Sequence, residues 1–195
     1  MSVTHAPATE DDVKLSPHPI NPGVRIGHVH LKVADIERAL AFYCGVLGFE
    51  ITARREGAAF ISAGGYHHHI ALNTWESKGG SPPAPGTTGL YHLAILYPNR
   101  AELAGALRRA IAAGIALDGA SDHGVSEALY LRDPDDNGVE LYCDRAKEQW
   151  PRSPDGRMTM FTKRLDLQDL LRESPVKKSL GGSMITRHRP RKRAP

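Results

Sequence analysis

No run of about 18 apolar residues occurs in this 195-residue chain, which excludes a membrane-spanning helix of ordinary length. Residues 1–22, MSVTHAPATEDDVKLSPHPINP, lack the basic-then-apolar pattern of a secretory leader, so a cytoplasmic location is the expectation. Cysteine is scarce. Cys44 and Cys143 are the two present, neither lies in a CxxC pair, and in a reducing compartment they are expected to be free, buried thiols. From Val176 onward there is no acidic and no aromatic side chain, although seven basic residues gather there (Lys177, Lys178, Arg187, Arg189, Arg191, Lys192, Arg193). A basic stretch without aromatics to stack on bases reads as a solvated, disordered tail, and nucleic acid is not an expected partner. That tail also disguises the charge of the body. The chain totals +3, yet without the tail 18 basic residues face 22 acidic ones, a net of −4.

What the chain does have is a repeated pattern. In IGHVHLKVADIERALAFYCGVLGFE (residues 26–50), Val29, Leu31 and Val33 alternate with His28, His30 and Lys32, as in a strand with one apolar and one polar face. The period then changes. Ile36, Ala39, Leu40 and Tyr43 fall at helical spacing, with Asp35 as N-cap and Gly48 as the stop. LYHLAILYPNRAELAGALRRAI (residues 90–111) repeats the order: an early histidine in an apolar strand, a polar turn at Pro98 and Asn99, and an amphipathic helix. Three short strand candidates follow each helix, at 50–55, 58–63 and 67–74 and at 115–120, 128–132 and 139–143. The expected fold is therefore α+β, with paired βαβββ modules forming a curved mixed sheet around a cup. The expected divisions are a leader (1–23), module one (24–75), a Gly/Pro-rich linker (76–88), module two (89–145), an extension with a short helix near 165–173 (146–175), and the basic tail (176–195). That helix packs on the domain or on a partner subunit, and self-association stays open.

Seven of the ten histidines sit at polar edges of these strands: His28, His30, His67, His68, His69, His92 and His123. His28 and His92 occupy matching positions in the two modules. In the last strand, GVELYC, alternation sets Glu140 and Tyr142 against Val139, Leu141 and Cys143. A carboxylate between Val and Leu needs a partner, and a metal supplies one. The symmetry mate of Glu140 is Ala71, which has no donor atom. Two imidazoles and one carboxylate, with the fourth symmetric position vacant, suit Fe(II) with open coordination positions, while Zn(II) and Mn(II) remain chemically compatible.

At these residues the sequence resembles the vicinal oxygen chelate superfamily over about 23–142, and more weakly through WPRSPDGRMTMFTKRLDLQDLL. AGGYHHHIALNTW, GLYHLAILYP and LRDPDDNGVELYCDR look closest to the catechol 2,3-dioxygenase branch of the extradiol ring-cleaving dioxygenases. The resemblance implies that His28, His92 and Glu140 bind Fe(II). It also implies that His68 handles the proton of a bound diol, that Tyr130 stands near the metal, and that His123 faces the substrate. Glyoxalase-like relatives use a ligand where Ala71 stands, which favours the dioxygenase. Strict alternation puts His67 and His69, not His68, on the face of Ala71. A bulge or a later strand start reconciles the two, and His67, His69 and His30 are then substrate-side neighbours. Asp133, Pro134 and Asp135 read as the turn into the last strand.

The implied partners are a small aromatic diol, chelated through both oxygens, and O2 at the adjacent position. A metal-dependent lyase, isomerase or thiol transferase on the same scaffold is the main alternative. A non-catalytic protein that binds an aromatic antibiotic is the alternative from another class.

Overall fold

The computed structural model describes residues 19–174, so the basic tail and most of the expected leader lie outside the described residues. Each module folds around one strand-helix unit. In the first, β1 (Val29–Lys32) leads into α1 (Ile36–Leu40), which continues as a widened π turn (Ala41–Val46), followed by β2 (Glu50–Arg55), β3 (Ala58–Ser62) and β4 (Ile70–Asn73). The second repeats this as β5 (Leu93–Leu96), α2 (Arg100–Ala112), β6 (Leu117–Asp122), β7 (Ser126–Arg132) and β8 (Gly138–Asp144).

The two halves match in local detail. Asp35 accepts a hydrogen bond from Arg38 N at 2.8 Å, and Asn99 accepts one from Glu102 N at 3.0 Å, so each helix starts on the same type of cap. The first helix ends before Gly48, whose φ of 91° suits a residue without Cβ. The sheets run β1-β4-β3-β2 and β5-β8-β7-β6, with one parallel pair in each, β1 with β4 and β5 with β8. A register shift falls at the same place in both, between Ile51 and Ala53 and between Leu117 and Gly119. Such irregularities bend a strand, and they curve each sheet.

Two differences from the sequence expectation stand out. β4 begins at Ile70 rather than at His67, because Gly64 and Gly65 take positive φ (68° and 82°) and Thr52 Oγ1 donates to His67 O at 2.7 Å, holding residues 63–69 as a loop. A fifth strand, β9 (Lys163–Arg164), pairs antiparallel with β6 and extends the second sheet. After it comes α3 (Leu167–Leu171), within the expected 165–173, capped by Asp166 and packed on α2 of its own chain through the buried Leu170.

Apolar faces of α1 and α2 meet both sheets in one core, which includes Leu31, Val33, Leu40, Tyr43, Ile61, Leu72, Leu103, Leu107, Leu129 and Leu141. Burying each of the larger side chains contributes about 1.5–3 kcal/mol. Cys143 is buried in this core and Cys44 half-buried at its margin, both as free thiols. Burial, followed by the nearby Glu127 charge, pushes the Cys143 thiol up to about 11.

Among the described residues no ladder joins the two sheets. Side chains join them instead. Tyr43 Oη donates to Asp133 Oδ2 at 2.9 Å, Ala34 N donates to Asp135 Oδ1 at 3.1 Å, and Arg38 pairs with the same Asp135 oxygen. From the other side Arg109 donates to Val46 O and Leu47 O at 3.1 and 3.3 Å. Residues 133–135 thus form the expected turn and also clamp module one. Burial, followed by the Asp133 charge, pushes the Tyr43 phenol far above its ordinary value, so it stays a donor. Tyr43→Phe removes that donor to a buried carboxylate and is expected to lower unfolding free energy by about 1–3 kcal/mol, measured by urea denaturation. An unchanged midpoint would show that the clamp carries no stability.

Candidate active site

The site is built on the last strands of the two sheets. In the second, β8 pairs with β5 so that Ala94 faces Glu140, and with β7 so that Tyr130 faces Glu140. In the first, the corresponding row is His30, Ala71 and Phe60. Ala71 is therefore the register mate of Glu140, as alternation predicted, and Phe60 is the mate of Tyr130. His28 and His92 each stand immediately before the first strand of their module.

In module two the side chains converge. His92 Nε2 lies 2.9 Å from Glu140 Oε2, Tyr130 Oη lies 3.2 Å from Glu140 Oε1, and His123 Nε2 lies 2.8 Å from Tyr130 Oη. The Glu140 side chain is 13% exposed, and His92 and Tyr130 are the polar groups that meet its two oxygens. Burial, followed by that charge, pushes the Tyr130 phenol up to about 12. It therefore keeps its proton at neutral pH. Tyr142, on the same face, is raised for the same two reasons, burial first and then the charges of Asp144 and Glu140. His92 and Tyr130 line a cavity of about 370 Å3 together with Tyr91, Gly119 and Arg132.

One glycine makes the pairing possible. A Cβ on Gly138 would strike the Tyr91 carbonyl oxygen and come within 3.0 Å of His92 Cβ, so only the bare residue lets the His92 segment settle against β8.

Module one gathers a different group. The rings of His28 and His68 lie 4.4 Å apart, and Phe60 stands 5.1 Å from His68. His67 Nδ1 is 2.7 Å from His68 Nδ1. His69 turns back on its own loop, where its Nδ1 meets Ser62 Oγ at 3.0 Å. His30 is exposed, with its ring 5.4 Å from Trp75. The later start of β4 is the feature that frees His68 to face His28. Loss of hydration, followed by the charge of His28 and then of His67, lowers the pKa of His68.

The structure therefore brings together His92, Glu140, Tyr130 and His123 in one cluster and His28, His68 and His67 in another. No three His, Cys, Asp or Glu side chains among the described residues form a single metal-holding group. Two functional features gave no signal in the sequence. The Asp135 clamp and the contact of His123 with residues 161–162 both depend on partners far along the chain.

A family model, the Glyoxalase/Bleomycin resistance protein/Dioxygenase superfamily, matches residues 25–141. The chain belongs to this superfamily. It is 43% identical over 155 residues to a catechol-2,3-dioxygenase of Bacillus subtilis (strain 168), a match covering 80% of this chain and 54% of that protein. It is 32% identical over 122 residues to biphenyl-2,3-diol 1,2-dioxygenase 3 of Rhodococcus globerulus, covering 62% of this chain and 63% of that one. The chain thus spans about half the length of the Bacillus relative and under two thirds of the Rhodococcus one. Among solved structures, a glyoxalase/dioxygenase from Nostoc punctiforme superposes with a TM-score of 0.54 at 21% identity, over 68% of this chain and all of that one. A glyoxylase/bleomycin resistance protein/dioxygenase domain from Frankia sp. EAN1pec gives 0.53 at 24% identity, over 63% of this chain and 98% of that one. These two likenesses bear on the fold. No helix among the described residues is long and apolar enough to cross a membrane.

Gly138→Ala is expected to cost about 1–3 kcal/mol by overpacking, read from urea denaturation, and to separate His92 from Glu140. A variant as stable as the parent would contradict the close approach of residues 91 and 138.

Proposed function

We propose that this chain is an extradiol ring-cleaving dioxygenase that acts on a catechol-type diol with O2, using Fe(II) held by His28, His92 and Glu140. The observation that carries this reading is the His92–Glu140 pair, set in a register whose symmetric position is Ala71. Three donors and a vacant fourth position leave room for a chelating diol and for oxygen, whereas a fourth protein ligand would close one of those places. The activities for which the Bacillus and Rhodococcus relatives are named support the same class.

The donor chemistry fits such an ion. Imidazole and carboxylate suit a borderline divalent metal, His92 and Glu140 already converge, and His92 Nδ1 is buried without a hydrogen-bond partner among the described residues. Bound Fe(II) would supply Lewis acidity toward the diol oxygens and the redox capacity to activate O2.

The chain's own side chains do the rest. His68, beside His28, is the base for the diol's second proton, and it returns that proton when the ring opens. Tyr130 keeps its proton and stands beside Glu140, its Oη 3.2 Å from Oε1. His123 orients Tyr130 in turn. His30 and His67 flank the diol from the module-one side while His69 is turned to Ser62, and the cavity at His92 and Tyr130 is large enough for one aromatic ring with a substituent.

Anaerobic reconstitution with Fe(II), followed by oxygen-electrode and absorbance assays on a panel of catechols, tests the reading. The expected result is oxygen uptake with a yellow ring-opened product. His28→Ala, His92→Ala and Glu140→Ala should each lower uptake by more than the about 10–100-fold that loss of a residue behind a metal ligand costs. Stoichiometric iron with no uptake on any diol would overturn it and move the assignment to a non-oxidative metal enzyme.

A further inference from the structure

The family match ends at residue 141, yet the chain continues as a strap fastened across module two. At its near end Arg145 pairs with Asp122 at 3.0 Å and with the buried Glu127 at 2.7 Å, and Trp150 Nε1 donates to Arg145 O. At its far end Arg100 of α2 holds Glu127, Asp169 and Glu173 at 2.7, 2.8 and 2.7 Å, while Leu165 and Leu170 are buried. Arg100 thus ties Asp169 and Glu173 of this segment to the buried Glu127 of β7.

Between these anchors β9 runs beside β6 and lays Phe161 and Thr162 on His123. Phe161 N donates to His123 O at 3.3 Å, and both Phe161 O and Thr162 Oγ1 lie 3.2 Å from His123 Nδ1. Gly124, with φ of 77°, makes room: a Cβ there would come within 2.6 Å of the Phe161 ring and 2.7 Å of Pro151. The Lys163 ammonium covers the Phe161 ring at 4.5 Å from its centre.

The chemistry of these contacts selects a tautomer. A carbonyl oxygen has no proton to give, so Phe161 O and His123 Nδ1 form a hydrogen bond only when Nδ1 carries hydrogen. In the neutral ring Nε2 is then bare, and it accepts a hydrogen bond from the single Tyr130 proton across the shorter contact, 2.8 Å against the 3.2 Å from Tyr130 Oη to Glu140 Oε1. The Thr162 hydroxyl can give or accept and so selects neither form.

We propose that Phe161, which lies outside the matched domain, is a positioning residue: its carbonyl and ring hold His123 in the Nδ1–H tautomer with Nε2 aimed at Tyr130, so the strap is part of the site. The kinetic consequence rests on the dioxygenase reading, whereas the tautomer does not.

The test is two-bond 1H–15N correlation NMR on the metal-free full chain with 15N-labelled histidine, His123 being assigned by its loss in His123→Gln. The wild type should show His123 with Nδ1 protonated. Phe161→Ala should shift it toward Nε2–H, while Phe161→Leu, which keeps an apolar contact on Gly124, and Thr162→Val should leave it in place. In the iron-loaded chain, Phe161→Ala should lower kcat for oxygen uptake with catechol about tenfold while KM stays within about twofold, and Phe161→Leu should restore kcat. A wild-type His123 protonated at Nε2, or a Phe161→Ala spectrum matching the wild type, would overturn the proposal. Absence of uptake in the wild type would sink the dioxygenase reading and leave the tautomer result standing.

Discussion

Two sheets that share no backbone ladder must be held at a fixed relation by something else, and here it is the short acidic turn between β7 and β8. Asp133 accepts from Tyr43 Oη, from the Asn137 side chain and from the backbone N–H groups of Asp135 and Asn137. Asp135 accepts from Ala34 N and from Arg38. These carboxylates are buried, and their charge is tolerable because Asp133 faces donors from both modules and Asp135 faces the Arg38 guanidinium and Ala34 N of module one. The turn leads directly into β8, which carries Glu140. The interaction that joins the halves is thus covalently adjacent to the strand that bears the acidic residue of the site.

Buried carboxylates recur with different partners and different consequences. Glu127 is enclosed by Arg100 and Arg145 and serves to anchor the strap. Asp133 is enclosed by neutral donors and serves to clamp the modules. Glu140 has His92 and Tyr130, fewer and weaker partners than the other two, and it borders a cavity through them.

The pseudo-symmetry of the chain shows how much of this was legible beforehand. The two capped helices, the matching positions of His28 and His92, and the pairing of Glu140 with Ala71 follow from local patterns of period 2 and 3.6, which need no knowledge of distant contacts. The placement of His68 was half legible. Alternation pointed to its neighbours, and the strand's start after His69 was decided by Gly64, Gly65 and the Thr52 contact. β9 and the approach of Phe161 to His123 were not legible, since a two-residue strand carries no periodicity and its partner lies about 40 positions earlier.

By itself the sequence determined the α+β class, the duplicated βαβββ order, the caps, and which residue types stand at the ends of the central strands. These are local consequences of backbone geometry and side-chain alternation. Tertiary structure decided which of those residues meet: His92 with Glu140 through the bare Gly138, His68 with His28 through a loop, and His123 with a strap fastened by Arg100 and Arg145. The physical reason is that hydrogen bonds and ion pairs between distant segments are set by how the core packs, and that packing leaves no short-range signature in the chain.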